Sequence, residues 1–276
     1  MISKYSLNIG LNTVDSNKLK GKYNILNNAE HDANYYSDYA QSRGFETSKL
    51  IGKQATSSSF FSEITKIKNK MNEKDLFFIS FSGHGTRVKD LNSDEEEGDG
   101  YDEALVFYDR IVIDDELRNI WESFRNNSRI LFLTDSCYNG KVSRLFELLA
   151  NNFSTDLSKR TFRGVDIENS EIDILNNIGF YSGIKLFHNS NENNGYSLIH
   201  IASCQNNQFA DDGNNANKTS YFTGVFKEVI DKEKFSGNYR KLYEKLSDNM
   251  PPWQSPDWDN HSESKPNNFE STKAFE

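Results

Sequence analysis

Cysteine is scarce in this chain of 276 residues, which contains Cys137 and Cys204 and no others. Two cysteines cannot build the framework of several disulfides on which small secreted domains depend, so the composition indicates a reducing compartment. The chain also lacks an apolar run of about 18 residues, and its first residues lack a charged region followed by an apolar stretch. We therefore expect a cytoplasmic protein without a membrane segment.

Positive charge is in deficit as well, because 32 lysines and arginines face 41 aspartates and glutamates and leave a net charge of −9. A nucleic-acid partner needs a dense basic face, so this class of protein is disfavoured. No Cys-x-x-Cys or His-x-x-x-His spacing occurs, which argues against a zinc site built on Cys137 and Cys204. With 36% hydrophobic and 13% aromatic residues, the chain can bury a core as one large α/β domain or two small ones.

Two apolar runs end abruptly at reactive side chains. The run Phe77–Phe81 leads to a Ser-Gly-His-Gly motif that contains His84, and the run Ile130–Leu133 leads to an Asp-Ser-Cys motif that contains Cys137. Such runs are typical of buried parallel strands, whose carboxyl ends share the sheet edge where α/β enzymes place their chemistry. Either residue alone is more often structural, but together they supply the base and the nucleophile of a thiol hydrolase.

These two motifs resemble the catalytic dyad of metacaspases, which belong to the caspase-like cysteine peptidases. His84 precedes Cys137 by 53 residues, close to the separation of roughly 50 residues in caspases. The resemblance continues through segments 5–11, 26–33, 99–105, 113–117 and 201–212. It implies a three-layer αβα sandwich with a mostly parallel central sheet, and an endopeptidase in which His84 activates Cys137.

The resemblance also implies protein or peptide substrates with Arg or Lys before the cut. In metacaspases the pocket for this side chain is acidic, and the matching positions here are Asp32, Ser82 and Asp135. Carboxylates in this pocket would favour a substrate with a basic side chain before the cut over one with an acidic side chain. The backbone N–H groups of Gly85 and Cys137 are candidates for holding the oxyanion, because glycine-bounded turns let them point inward.

An acidic segment, with seven acids between positions 94 and 103, follows the histidine motif. It does not fit the EF-hand pattern, because the glutamate required at the twelfth position is absent. The resemblance to calcium-dependent metacaspases instead implies calcium ligands at Asp99, Asp114 and Asp115. The fourth ligand position of that family carries Arg144 here, and its positive charge opposes a bound cation. Calcium is therefore an open expectation for this chain.

The pattern of apolar residues predicts alternating strands and helices. Strands are expected over 5–11, 47–51, 75–82, 128–135 and 196–203, with a hairpin over 104–113. Helices are expected over 28–41, 59–71, 114–124, 220–231 and 238–250. We expect one caspase-like domain over 1–276, with an insertion at about 141–194 that carries helical stretches near 145–149 and 172–175. An extended C-terminal segment is expected at about 251–276.

The insertion carries basic residues at which a peptidase of this specificity would cut its own chain. They include Lys141, Arg144, Lys159, Arg160 and Arg163. Two other interpretations stay open. The chain could be a catalytically inactive caspase-like module that binds partners, or Cys204 could be the nucleophile, although it follows its strand without a glycine turn.

Overall fold

A six-stranded sheet forms the middle of the fold. The structure, a computed structural model, describes residues 2–90, 100–125, 127–138, 160–184, 195–213, 218–261 and 268–276. Its strands are β1 (Lys4–Gly10), β2 (Glu46–Ile51), β3 (Leu76–Ser82), β4 (Gly85–Lys89), β5 (Tyr101–Val106), β6 (Ile111–Ile113), β7 (Arg129–Asp135), β8 (Ser197–Ala202) and β9 (Asp257–Asn260). Its α-helices are α1 (Ala29–Ser42), α2 (Ser57–Lys70), α3 (Asp114–Glu122), α4 (Ile167–Asn176), α5 (Ile178–Tyr181), α6 (Tyr221–Lys227) and α7 (Tyr239–Asn249).

The strand order of the central sheet is β2-β1-β3-β7-β8-β9. All neighbours are parallel except β9, which runs antiparallel to β8. Every residue of β3 and β7 is buried, as is typical of strands that are covered on both faces.

Helices cover both faces of this sheet. Successive residues of β3 face opposite ways, so Phe77 joins the apolar cluster that contains Phe60 of α2 and Trp121 of α3. Its neighbour Phe78 joins the other cluster, to which α1, α6 and α7 contribute. The predicted three-layer αβα sandwich with a mostly parallel sheet is therefore confirmed.

A second, three-stranded antiparallel sheet consists of β4, β5 and β6. The predicted hairpin corresponds to β5 and β6. Strand β4 was not predicted, because its five residues include a single large apolar side chain, Val88, and so show no alternating pattern. Val88 packs with Val106 and Ile113 in a separate apolar cluster of this sheet.

The helices α4 and α5 lie within the predicted insertion. Ile174 and Tyr181, one from each helix, pack into the apolar cluster of the small sheet. Asp173 of α4 accepts a hydrogen bond from the hydroxyl of Tyr23 at 2.5 Å, which ties the helix to the N-terminal part of the chain. The helical stretch expected near 172–175 is part of α4, whereas the one near 145–149 lies outside the described residues.

The C-terminal segment adds β9 to the edge of the central sheet, a strand that was expected only as an extended segment. Further on, the side chains of Phe269 and Phe275 are buried in the cluster that covers Phe78. None of the helices in the described ranges is both long and apolar enough to cross a lipid bilayer.

Candidate active site

The motifs that follow β3 and β7 meet at one edge of the central sheet. The two strands are parallel neighbours, with Ser82 in register with Asp135. Because His84 and Cys137 each follow the register pair by two positions, the pairing brings both motifs to the same edge. The backbone N–H of Gly83 donates to the carbonyl oxygen of Asp135 at 3.3 Å and extends the contact beyond the strands.

His84 is buried, with 3% of its surface exposed. Its Nε2 atom lies 2.7 Å from the carbonyl oxygen of Asn24. A carbonyl can only accept, so Nε2 carries the proton and Nδ1 is the basic nitrogen. Nδ1 has no hydrogen-bond partner among the described residues. Burial lowers the pKa of His84, which the bond to Asn24 partly opposes, and the imidazole is therefore neutral at pH 7.

Cys137 lies fully buried beside Cys204. The Cys137 thiol donates to the carbonyl oxygen of Gln208, with Sγ 3.1 Å from the oxygen. The Cys204 thiol donates to the carbonyl oxygen of Ser136 at 3.7 Å. The pKa of Cys204 is raised, first by the side-chain interaction with Cys137 and then by burial, so Cys204 stays a neutral thiol.

Two backbone N–H groups at this edge point at one carbonyl oxygen. The N–H of Gly85 donates to the carbonyl oxygen of Arg163 at 2.9 Å, and the N–H of Cys137 donates to the same oxygen at 3.2 Å. Gly85 permits this approach, because a Cβ atom there would lie 2.6 Å from the carbonyl oxygen of Cys137. The pair of N–H groups expected to hold an oxyanion thus holds the carbonyl of a peptide bond of the chain itself.

The residues before that peptide bond pair with the loop that follows β8. The N–H of Arg163 donates to the carbonyl oxygen of Ala210 at 2.9 Å, and the N–H of Asp212 donates to the carbonyl oxygen of Thr161 at 2.8 Å. These two hydrogen bonds lie on either side of an antiparallel bridge between Phe162 and Asp211. A groove that binds an extended peptide uses main-chain pairing of this kind.

The residues after the bond pair with β4. The N–H of Val165 donates to the carbonyl oxygen of Gly85 at 3.1 Å, and Gly85 forms a parallel bridge with Gly164. Before the bond, Phe162 packs edge-on against Phe209, with ring centroids 5.6 Å apart. Residues 161–165, which we call the docked segment, therefore lie across the site with backbone contacts on both sides of the peptide bond between residues 163 and 164.

The guanidinium of Arg163 is enclosed by three carboxylates, and all four side chains are at most 1% exposed. Nη2 donates to Oδ2 of Asp32 at 2.5 Å and to Oδ1 of Asp212 at 2.9 Å. Nε donates to the same Asp212 oxygen at 3.0 Å. Nη1 donates to the carbonyl oxygen of Asp135 and lies 3.1 Å from its Oδ2 atom. Every N–H bearing nitrogen of the side chain thus has an acidic or carbonyl partner.

Hydrogen bonds from the surrounding chain fix these carboxylates. Oδ1 of Asp32 accepts from the backbone N–H of Ser220 at 3.1 Å, and Oδ2 of Asp135 accepts from the hydroxyl of Ser220. Oδ2 of Asp212 accepts from the backbone N–H of Asn27 at 2.6 Å. The acidic pocket is therefore preorganised by groups other than the guanidinium it holds.

The pocket carries more negative than positive charge. Burial raises the pKa of Asp32 to about 7, the charge of Asp135 adds to this effect, and Arg163 opposes it. Burial disfavours the charge on Arg163, but the carboxylates of Asp135, Asp32 and Asp212 outweigh this and raise its pKa. A pocket of this kind favours a permanent cation.

The structure brings two of the three expected pocket residues onto the guanidinium. Asp32 and Asp135 contact it, whereas the buried hydroxyl of Ser82 has no hydrogen-bond partner among the described residues. Asp212 completes the pocket and was missed, although it lies in the segment 201–212 that carries the family resemblance. Arg163 was noted only as one basic residue of the insertion.

The expected calcium ligands show no metal site in the described part of the chain. Oδ1 of Asp114 accepts from the backbone N–H of Asp115 at the start of α3, where acidic residues also favour the helix dipole. Asp115 lines a small cavity together with a second acid, Asp102, and with Lys89. No group of three or more metal-ligating side chains occurs in the described ranges, and Asp99 and Arg144 lie outside them. The described residues alone do not fit a calcium site, and calcium dependence stays a prediction.

A doubly covered parallel sheet with a histidine and a cysteine after neighbouring strands is the arrangement expected for a caspase-like thiol hydrolase. The family model of the peptidase C14 caspase domain matches residues 9–271. The chain belongs to this family of caspase-like peptidases.

Individual relatives agree with this assignment. The crystal structure of protein GSU0716 from Geobacter sulfurreducens superposes with a TM-score of 0.82 and 29% identity, over 99% of this chain and 98% of that one. Metacaspase-1 of Candida glabrata is 31% identical over an alignment of 156 residues that covers 50% of this chain and 37% of that protein. The chain thus spans well under half the length of this curated relative. Caspase-1 from Spodoptera frugiperda shares the fold, with a TM-score of 0.53 and 10% identity over 94% of this chain and 86% of that one.

Proposed function

We propose that this protein is a cysteine endopeptidase that cleaves after Arg or Lys, with Cys137 as the nucleophile and His84 as the general base. One observation carries the proposal. The carbonyl oxygen of Arg163 accepts hydrogen bonds from two backbone N–H groups, one of them that of Cys137 itself, while the Arg163 side chain fills the acidic pocket. The chain thus presents one of its own peptide bonds in the position that a substrate bond would take.

The proposed reaction begins with the thiol of Cys137. Its hydrogen bond to Gln208 must first be exchanged for one to Nδ1 of His84, which then takes the proton. The thiolate attacks the carbonyl carbon before the cut, and the N–H groups of Gly85 and Cys137 stabilise the resulting oxyanion. His84 returns the proton to the leaving amine, and water then releases the acyl group from Cys137.

The first substrate of this reaction would be the chain itself. The docked segment occupies the pocket and the groove on both sides of the bond between Arg163 and Gly164, so an external peptide cannot bind until it leaves. We therefore propose self-processing after Arg163. Arg160 lies three residues before Arg163, and it pairs with Asp211 at 2.5 Å, whereas the pocket carboxylates pair with Arg163. The other basic residues named for self-cleavage, Lys141, Arg144 and Lys159, lie outside the described residues.

Intact-mass analysis of the purified protein, with and without calcium or a chelator, tests the proposal. Wild-type protein should yield a fragment whose N-terminus is Gly164, and Cys137→Ala should stay intact at that bond. Fluorogenic peptides ending in Arg, Lys or Asp then report on external substrates. Cleavage after Arg or Lys that is lost in Cys137→Ala supports the proposal. The comparison of samples with calcium and with a chelator decides whether the ion is needed. If neither self-cleavage nor peptide cleavage occurs in any condition, the chain is instead a caspase-like binding module with a docked arginine.

A further inference from the structure

We infer that Asp212 makes the acidic pocket select Arg over Lys. This inference rests on the proposed function of the same site. It assigns to Asp212 a specificity role that follows from one contact, the hydrogen bond of its Oδ1 atom with Nε of Arg163.

The argument depends on where the donors of the two basic side chains lie. Counted from Cβ, the fourth side-chain atom is the N–H donor Nε in arginine and a methylene carbon in lysine, while the lysine ammonium takes the place of the arginine Cζ atom. Oδ1 of Asp212 accepts hydrogen bonds from both Nε and Nη2, at 3.0 and 2.9 Å. A lysine in the same position would place a methylene group where Nε now donates to this oxygen, so one of the two hydrogen bonds would be lost.

The other two carboxylates do not make this distinction. Asp32 contacts Nη2 alone, and Asp135 contacts Nη1, so both meet the terminal end of the side chain that an ammonium group also approaches. Asp212 cannot easily turn toward a lysine, because its Oδ2 atom is held by the N–H of Asn27. With Arg163 in place Asp212 is 0% exposed, so bulk solvent does not reach its carboxylate, and a donor that is lost there is costly.

The ratio of kcat/KM for two reporter peptides that differ in Arg or Lys before the cut tests the inference. Wild-type protein should prefer Arg by on the order of 10- to 100-fold, the effect of losing a hydrogen bond to a buried charged group. Asp212→Asn should bring the ratio close to one, mainly through a loss on the Arg peptide. Asp32→Asn is the matched control, and it should slow both peptides while keeping most of the preference. The ratio cancels any change in His84 or Cys137, because both peptides use the same groups. A wild-type ratio near one, or an equal ratio before and after Asp212→Asn, overturns the inference.

A second measurement does not depend on catalysis. In the Cys137→Ala background, Arg163→Lys should lower the melting temperature clearly, and it should do so much less when Asp212→Asn is also present. Equal losses in the two backgrounds overturn the inference, whatever the activity of the protein. Wild-type protein that cleaves neither itself nor either peptide refutes the proposed function, while the comparison of melting temperatures still decides the role of Asp212.

Discussion

The carbonyl oxygen of Arg163 lies 3.2 Å from the backbone nitrogen of Cys137, and the N–H of Gly85 meets the same oxygen. The residue before the bond to be cut and the residue that would cut it are therefore held together by the main chain. Because the side chain of Arg163 is simultaneously buried among three carboxylates, backbone and side chain fix the same position of the docked segment. This double attachment makes Arg163 a structural residue as well as a proposed cleavage site.

Loss of the Arg163 charge should therefore destabilise the uncut protein. In the Cys137→Ala background, we expect Arg163→Gln to lower the free energy of unfolding by about 3–5 kcal/mol, because it leaves buried carboxylates without their cation. The matched control is Arg160→Gln, whose side chain is 31% exposed and whose loss leaves one buried carboxylate, Asp211, without its cation instead of three, so its cost should be clearly smaller. Denaturant titrations of both variants provide the comparison. Similar losses would contradict the enclosed state of Arg163.

Gly85 supports a prediction about rate. Gly85→Ala would place a Cβ atom 2.6 Å from the carbonyl oxygen of Cys137, so one of the two N–H groups would be pushed away from the oxyanion. Removal of one such donor lowers kcat by on the order of 10²–10³. The control is Gly179→Ala, where the new Cβ meets nothing within 4 Å. Peptide hydrolysis by the two variants is the measurement, and unchanged kcat in Gly85→Ala would remove its N–H from the mechanism.

The strands and the two motifs could be predicted because continuous apolar runs report local structure. Runs such as Phe77–Phe81 can hardly be placed anywhere but in a covered sheet, and parallel pairing then brings His84 and Cys137 to one edge. The family resemblance added Asp32 and Asp135. The length and composition of the chain left open whether one or two domains are present.

The rest of the pocket depends on irregular segments that meet over long distances in the sequence. Arg163 contacts Asp32 across 131 positions and Asp212 across 49. The segments that carry Arg163 and Asp212 show no periodic pattern of apolar residues. A basic residue in a polar insertion is normally exposed, so nothing local in the sequence indicates that Arg163 is buried. A count of charges near the motifs could have suggested Asp212, since the pair of acids at 211 and 212 follows the last strand of the parallel set.

The position of Cys204 allows the alternative nucleophile to be tested. Cys204 is 2% exposed and packs with Phe209 and Ala210, and its pKa is raised first by the side-chain interaction with Cys137 and then by burial. We expect Cys204→Ala to retain most of the peptidase activity at some cost in stability, and Cys137→Ala to lose it. Peptide hydrolysis by the two matched variants is the readout. Activity that survives Cys137→Ala and disappears in Cys204→Ala would make Cys204 the nucleophile.

His200 on β8 makes stability depend on pH. Burial lowers its pKa to about 4, although the carboxylates of Asp259 and Asp257 oppose the shift and His261 adds to it. Its ring stacks on Phe132 with centroids 4.9 Å apart. In the unfolded chain a histidine takes up a proton near its ordinary pKa of about 6.5, whereas His200 in the folded protein is protonated only near pH 4. The contribution of His200 is therefore fully present above pH 6.5 and is lost as the pH falls toward 4.

Between pH 7 and pH 5 this difference in protonation should lower the free energy of unfolding by about 2 kcal/mol. We expect His200→Gln to remove that part of the pH dependence, while His31→Gln, an exposed histidine on α1, serves as the control substitution. Denaturant titrations at pH 7, 6 and 5 in the Cys137→Ala background provide the measurement without self-cleavage. A wild-type slope that His200→Gln leaves unchanged would mean that other groups set the response of the fold to acid.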